Sequence, residues 1–150
     1  MKSSFGQASL VKFKGRGQIL IYSVSRTDFV SIATEPFIWM DLATPFEEIT
    51  KQVIRALDSS KSGLKAPKDW KKHLTDFLKK LGLKKESELY QDALYVGVLR
   101  KEGVITFTPM KNFGMKGGAV NVPNVAIDIS ADQPLSEISI ALQKAIDKSE

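Results

Sequence analysis

Apolar residues along this chain fall into two spacings, and the spacings mark its elements. Residues 18–22 (QILIY), 29–34 (FVSIAT) and 37–40 (FIWM) are short runs of strand formers, the last of them following Pro36. Lys14-Gly15-Arg16-Gly17 and Ser25-Arg26-Thr27-Asp28 supply the turns between them. Strands this short and this close in sequence favour antiparallel pairing over parallel crossovers. From Thr44 onward the period changes. Phe46, Ile49, Val53, Ala56 and Leu57 recur at three- and four-residue steps, which predicts a helix with one core-facing stripe. Thr44 is the expected N-cap, Pro45 the first helical residue, and Glu47 and Glu48 suit the positive end of the helix dipole. Glu47 also completes capping-box spacing with Thr44.

After the polar exit 58–63 a second helix is predicted over 67–81 and stopped by Gly82. Its apolar stripe is Trp70, Leu74, Phe77, Leu78 and Leu81, which places Trp70 in the core. Residues 94–99 and 104–108, joined by Arg100-Lys101-Glu102-Gly103, carry a strong hairpin signal. A glycine-rich loop over 110–121 leads to a last strand, 125–129. A last helix over 134–148 follows, with Leu135, Ile138, Leu142, Ala145 and Ile146 on its apolar face. These elements predict one α/β (α+β) domain over 1–150, a mixed or mainly antiparallel sheet flanked by about three helices.

The chain also resembles itself once. Shifted by 89 residues, 37–49 lies on 126–138, and the register holds through Ala56/Ala145, Leu57/Ile146, Asp58/Asp147 and Ser60/Ser149. Each unit is a strand, a polar break, a proline-started helix and a polar exit. Duplication and shared capping chemistry both account for it. One sheet flanked by two similarly attached helices is the arrangement it suggests.

Composition narrows the chemistry. A chain of 150 residues can bury one sizeable core. It has no cysteine, which excludes disulfides and thiolate metal sites and agrees with a reducing compartment. The N-terminal stretch MKSSFGQASLVKFKGRG lacks the apolar core of a signal peptide, and no run approaches the roughly 20 apolar residues of a membrane span. The expectation is a soluble, unexported protein with no membrane partner. The net charge of +5 is unevenly placed. Residues 65–85 hold eight lysines against Asp69 and Asp76, a balance of +6, while 86–150 hold six basic and nine acidic side chains.

Candidate chemistry is sparse. The one histidine, His73, has Asp69 and Asp76 at helical spacing, but only Thr75 as a neighbouring nucleophile and no oxyanion-hole motif. It is read as a surface or boundary residue. Glu86, Glu88 and Asp92 do not make a calcium loop, so no metal or other cofactor is expected. The run 111–118 (KNFGMKGG) lacks the spacing of a phosphate-binding loop. Lysines beside Trp70 offer a nucleic-acid surface, but a core Trp70 and the absence of arginine favour a merely solvated face.

Four segments together resemble one family: 37–61 (FIWMDLATPFEEITKQVIRALDSSK), the helix DWKKHLTDFLKKLG, the segment 105–118 (ITFTPMKNFGMKGG) and the closing phrase 127–149. The pattern is similar to the CdiI-type immunity proteins of bacterial contact-dependent growth inhibition. The resemblance implies a cytoplasmic bacterial protein, not an enzyme, that binds the C-terminal toxin domain of its cognate CdiA protein. Many such toxins are nucleases. Inhibition would follow from covering the active site or from binding elsewhere to block substrate. The chain's basicity sits awkwardly with a basic nuclease partner. The contact face is then the acidic C-terminal part, or the toxin is acidic there, or it is no nuclease. The expected interface is Lys111, Asn112, Phe113, Met115 and Lys116, where mobile apolar and basic groups occur together.

Overall fold

The computed structural model describes residues 5–150. The first four residues of the N-terminal stretch considered above lie outside them. Seven strands and four helices follow in order: β1 (Gly6–Phe13), β2 (Gln18–Arg26), β3 (Ser31–Asp41), α1 (Phe46–Asp58), α2 (Trp70–Leu81), β4 (Ala93–Lys101), β5 (Val104–Asn112), α3 (Gly114–Gly117), β6 (Ala119–Asn121), β7 (Ile127–Ser130) and α4 (Leu135–Lys148). A 3-10 turn over Glu86–Leu89 precedes β4. The strands form one antiparallel sheet in the order β3-β2-β1-β4-β5-β6, with β7 sharing the outer edge of β5 with β6. The α+β class and the antiparallel sheet are those expected from sequence.

Strand alternation gives the sheet two faces. Ala8, Leu10, Ile19, Ile21, Val96, Val98, Ile105 and Phe107 point to the first and are buried under α1 and α4. The stripe Ile49, Val53, Ala56 and Leu57 of α1 meets Ile138, Leu142, Ala145 and Ile146 of α4 there. Val11, Phe13, Leu20 and Tyr95 point to the second face. They are covered by α2 through Leu81 and by Leu83 and Leu89 beyond it, with Tyr22, Phe37, Trp39 and Phe77 packed alongside.

The 89-residue similarity corresponds to a spatial repeat. Strands 38–41 and 127–130 and helices Phe46–Asp58 and Leu135–Lys148 stand at matching offsets. Each half is a three-stranded meander capped by a helix, the third strand of the second half being divided into β6 and β7. The halves join where β1 pairs β4 in the middle of the sheet, an arrangement with approximate twofold symmetry. Thr50 and Ser139, themselves 89 apart, meet on this axis: their hydroxyl oxygens lie 2.8 Å apart and both are buried. The segment 61–92, with α2, has no counterpart.

Several boundaries differ from the sequence reading. β1 was not expected as a strand: Ala8 and Leu10 face the first side, but Gln7, Ser9 and Lys12 interrupt its apolar residues and mask the pattern. Residues 29–34 and 37–40 belong to one strand beginning at Ser31. The register against β2 shifts where Tyr22 pairs Phe37 and Ser23 pairs Thr34, so Glu35 and Pro36 bulge out. The turn lies at 27–30, where Thr27 Oγ1 accepts from the backbone N–H groups of Phe29 and Val30. Thr44 does not cap α1. Pro45 occupies the cap without a side-chain bond, and Asp41 instead receives the Ala43 N–H at 2.7 Å. α2 starts at Trp70, not 67, because Asp69 accepts the Lys72 N–H and caps it there.

Candidate functional site

Three surface regions could carry function. The first is the β5–β6 hairpin, where the expected interface residues fall. β5 extends through Lys111 and Asn112, Phe113 follows it, and Met115 and Lys116 lie in the single turn of α3. Asn112 is partly buried and fixes the hairpin. Its Nδ2 donates to the carbonyls of Tyr90 (2.7 Å) and Ala93 (2.9 Å), and its Oδ1 accepts from Gly114 N–H. Two glycines permit the shape. Gly118 has φ +68, and a Cβ on Gly117 would stand 2.5 Å from that of Phe113. With its base held this way, the hairpin presents Phe113 (54% exposed), Met115 (52%) and Val120 to solvent. Lys111 Nζ lies 5.3 Å from the centre of the Phe113 ring. The sequence singled out these apolar and basic groups. It did not show that Asn112 anchors while the others project.

The second region is a broad basin of about 700 Å³ at the exit of α1, lined by Glu35, Pro36, Phe37, Asp58, Ser59, Ser60, Lys61 and Lys80. A hollow of about 340 Å³ adjoins it, sharing Glu35, Phe37, Lys61 and Lys80 and adding His73. Its wall is stitched by polar contacts: Lys61 N–H donates to Ser25 Oγ at 3.0 Å, and Ser25 and Thr34 exchange a bond at 2.7 Å. Little here can do bond-making chemistry. The His73 ring stands edge-on to Trp70 at 5.9 Å and makes no hydrogen bond among the described residues. Asp69 is engaged as a helix cap, and Thr75 Oγ1 donates to the Lys71 carbonyl. Among the described residues, no group of three or more histidine or carboxylate side chains could hold a metal ion. No helix among them is long and apolar enough to cross a membrane.

The third region is α2. Its lysines are exposed as expected, but Trp70 is not in the core: it is 44% exposed. Phe77, Leu78 and Leu81, in the second half of the helix, reach the second-face core, and Trp70 in its first turn does not. Just beyond this helix, Glu88 is a structural carboxylate. Its Oε1 accepts from the N–H groups of Lys84 (3.0 Å) and Lys85 (3.1 Å), and its Oε2 from Arg16 at 2.6 Å. The Lys84 N–H, with lesser help from Lys85 and the Arg16 guanidinium, holds its carboxyl below the usual carboxylate range. Burial pushes the phenols of Tyr22, Tyr90 and Tyr95 upward, and Tyr95 donates its hydroxyl to the Leu89 carbonyl. These phenols stay neutral and structural.

No family model matches the chain, and no curated protein does. Solved structures share its fold along the full length, among them the following two. A protein of unknown function from Neisseria meningitidis superposes with a TM-score of 0.79 at 16% identity, covering 100% of this chain and 98% of its own. A chain of the CdiA-CT/CdiI toxin and immunity complex from Yersinia pseudotuberculosis does so with a TM-score of 0.76 at 12% identity, covering 99% of each.

Proposed function

We propose that this chain is an immunity protein of the CdiI type, which binds the C-terminal toxin domain of its cognate CdiA protein and keeps it inactive. The observation that carries this reading is the end-to-end fold likeness to a chain of the Yersinia toxin and immunity complex, with nothing left over on either side. It agrees with the family resemblance of the four sequence segments and with an inventory of side chains suited to surface contact. In this reading the protein acts in the cytoplasm of the producing bacterium, without catalysis. The toxin it restrains is a nuclease, which it blocks by covering the active site or the approach of substrate.

The contact we assign is the β5–β6 hairpin. Asn112 holds its base, so Phe113 and Met115 project as preorganised apolar anchors, and Lys111 and Lys116 flank them. Co-expression with the CdiA C-terminal domain encoded beside it tests the reading. A 1:1 complex on size exclusion and restored growth of toxin-producing cells are expected. Absence of both would sink the immunity role. Phe113→Asp with Met115→Asp should abolish the complex while leaving the melting temperature close to that of the parent. A complex as tight as the parent's would move the interface elsewhere without touching the role itself.

A further inference from the structure

The segment 61–92 stands apart from the repeated scaffold, and its part 65–85 concentrates eight lysines against two aspartates. Helix α2 needs only Phe77, Leu78 and Leu81 to cover the second face. Its outer side is another matter. Lys71 and Lys79 share one stripe of α2 two turns apart, with Thr75 between them, and Lys72 and Lys80 follow them in the sequence, with Asp76 the one acid on the helix. Among the described residues only Lys80 of these lysines has an ion-pair partner, Glu35 at 3.8 Å. Outside the segment two arginines are closely paired, Arg16 with Glu88 at 2.6 Å and Arg100 with Asp58 at 2.8 Å. A helix with four exposed lysines against one aspartate is the charge complement of a polyanion. Next to it, at the head of the same helix, Trp70 holds its indole half in solvent against His73.

We infer that the lysine face of α2, with Trp70 at its N-terminal end, binds single-stranded nucleic acid through phosphates and base stacking, without sequence selectivity. Lysines supply point charges for phosphates, and an exposed indole stacks on any base. No arginine occurs in 65–85, so the bidentate contact that reads guanine is missing and the binding does not discriminate sequence. α2 is 12 residues long, which at about 1.5 Å per residue spans a few nucleotides only. Affinity is therefore modest and strongly salt-dependent. This surface is independent of the toxin-binding hairpin and of the immunity reading.

Fluorescence anisotropy of a labelled 20-nucleotide oligouridylate with the full-length protein alone, at 50 and 200 mM salt, is the test. Binding at low salt is expected, with a log–log salt slope of about −2 to −3, as for three or four phosphates at about −0.7 each. Lys71→Glu with Lys72→Glu and Lys79→Glu should weaken it by about tenfold or more. The neutral glutamine triple, milder on folding, should weaken it less but measurably. Trp70→Ala should weaken it about fivefold or more. No binding at 50 mM salt, or binding indifferent to both triples, overturns the proposal. So does equal displacement by polyglutamate at matched charge, which would make the partner an acidic protein. Equal affinity for a 20-base-pair duplex with no effect of Trp70→Ala would overturn the stacking role and with it the preference for single strands.

Discussion

Thr50 and Ser139 are polar residues in the apolar seam between α1 and α4, and each is explained by the other. Thr50 Oγ1 donates to the Phe46 carbonyl of its own helix at 2.9 Å, leaving its lone pairs to face Ser139. Ser139 Oγ lies 2.8 Å from both the Leu135 carbonyl and Thr50 Oγ1. Replacing either alone leaves the other hydroxyl bonded to its own helix but set against an apolar neighbour, whereas replacing both removes the mismatch. In a double-mutant cycle of Thr50→Val and Ser139→Ala followed by urea unfolding, we expect a coupling of about 0.5–2 kcal/mol. Additive losses would mean that the two hydroxyls ignore each other. Glu88 gives a prediction with pH. Its folded carboxyl titrates below its unfolded value, so the stabilisation it provides is complete above the ordinary carboxylate range and is lost as pH falls through the lowered value. The amide shifts of Lys84 and Lys85 followed by NMR should titrate together below pH 4.3, roughly the unperturbed glutamate value. In Glu88→Gln both should be flat over that range.

At the scale of elements, legibility tracked burial on one side. Helices α1 and α4 and the β4–β5 hairpin stood out because each buries one clean face and shows water the other. β1 was hidden because Gln7, Ser9 and Lys12 interrupt its apolar residues. β3 read as two strands because Glu35 and Pro36 interrupt it as a bulge. Trp70 was misplaced because helical periodicity says which side a residue is on, not whether a core residue stands opposite it. The interface loop was legible by residue type, but its hydrogen-bonded base was not, since Asn112 reaches carbonyls about 20 residues earlier in the chain. The exposed start of α2 has a measurable consequence. Leu81→Ala, at a buried position, should cost about 2–5 kcal/mol. Trp70→Ala should cost under about 1 kcal/mol by the same thermal or urea unfolding, and a loss equal to that at Leu81 would return Trp70 to the core.

At the scale of the whole molecule, charge and fold divide the work between parts of the chain. The two similar halves supply nearly all of the first-face core, while the intervening segment supplies the basicity. Part of this was visible in the 89-residue offset, because both halves repeat the same spacing of strand, polar break and helix. What the offset could not show was the meeting of equivalent residues on one axis, a property of three dimensions.

The joint between the halves has a practical corollary. Since β1 zips to β4 and α1 packs on α4 across it, a backbone cut between Ser62 and Gly63 severs a tether whose two flanks, Lys61 and Leu64, stay bonded to Arg26. Peptides 1–62 and 63–150, each poorly folded alone, should recombine on mixing into a one-to-one species with the parent's circular dichroism, a ready-made pair for split-reporter use. Pieces that stayed apart at micromolar concentration would mean that the tether does more than join.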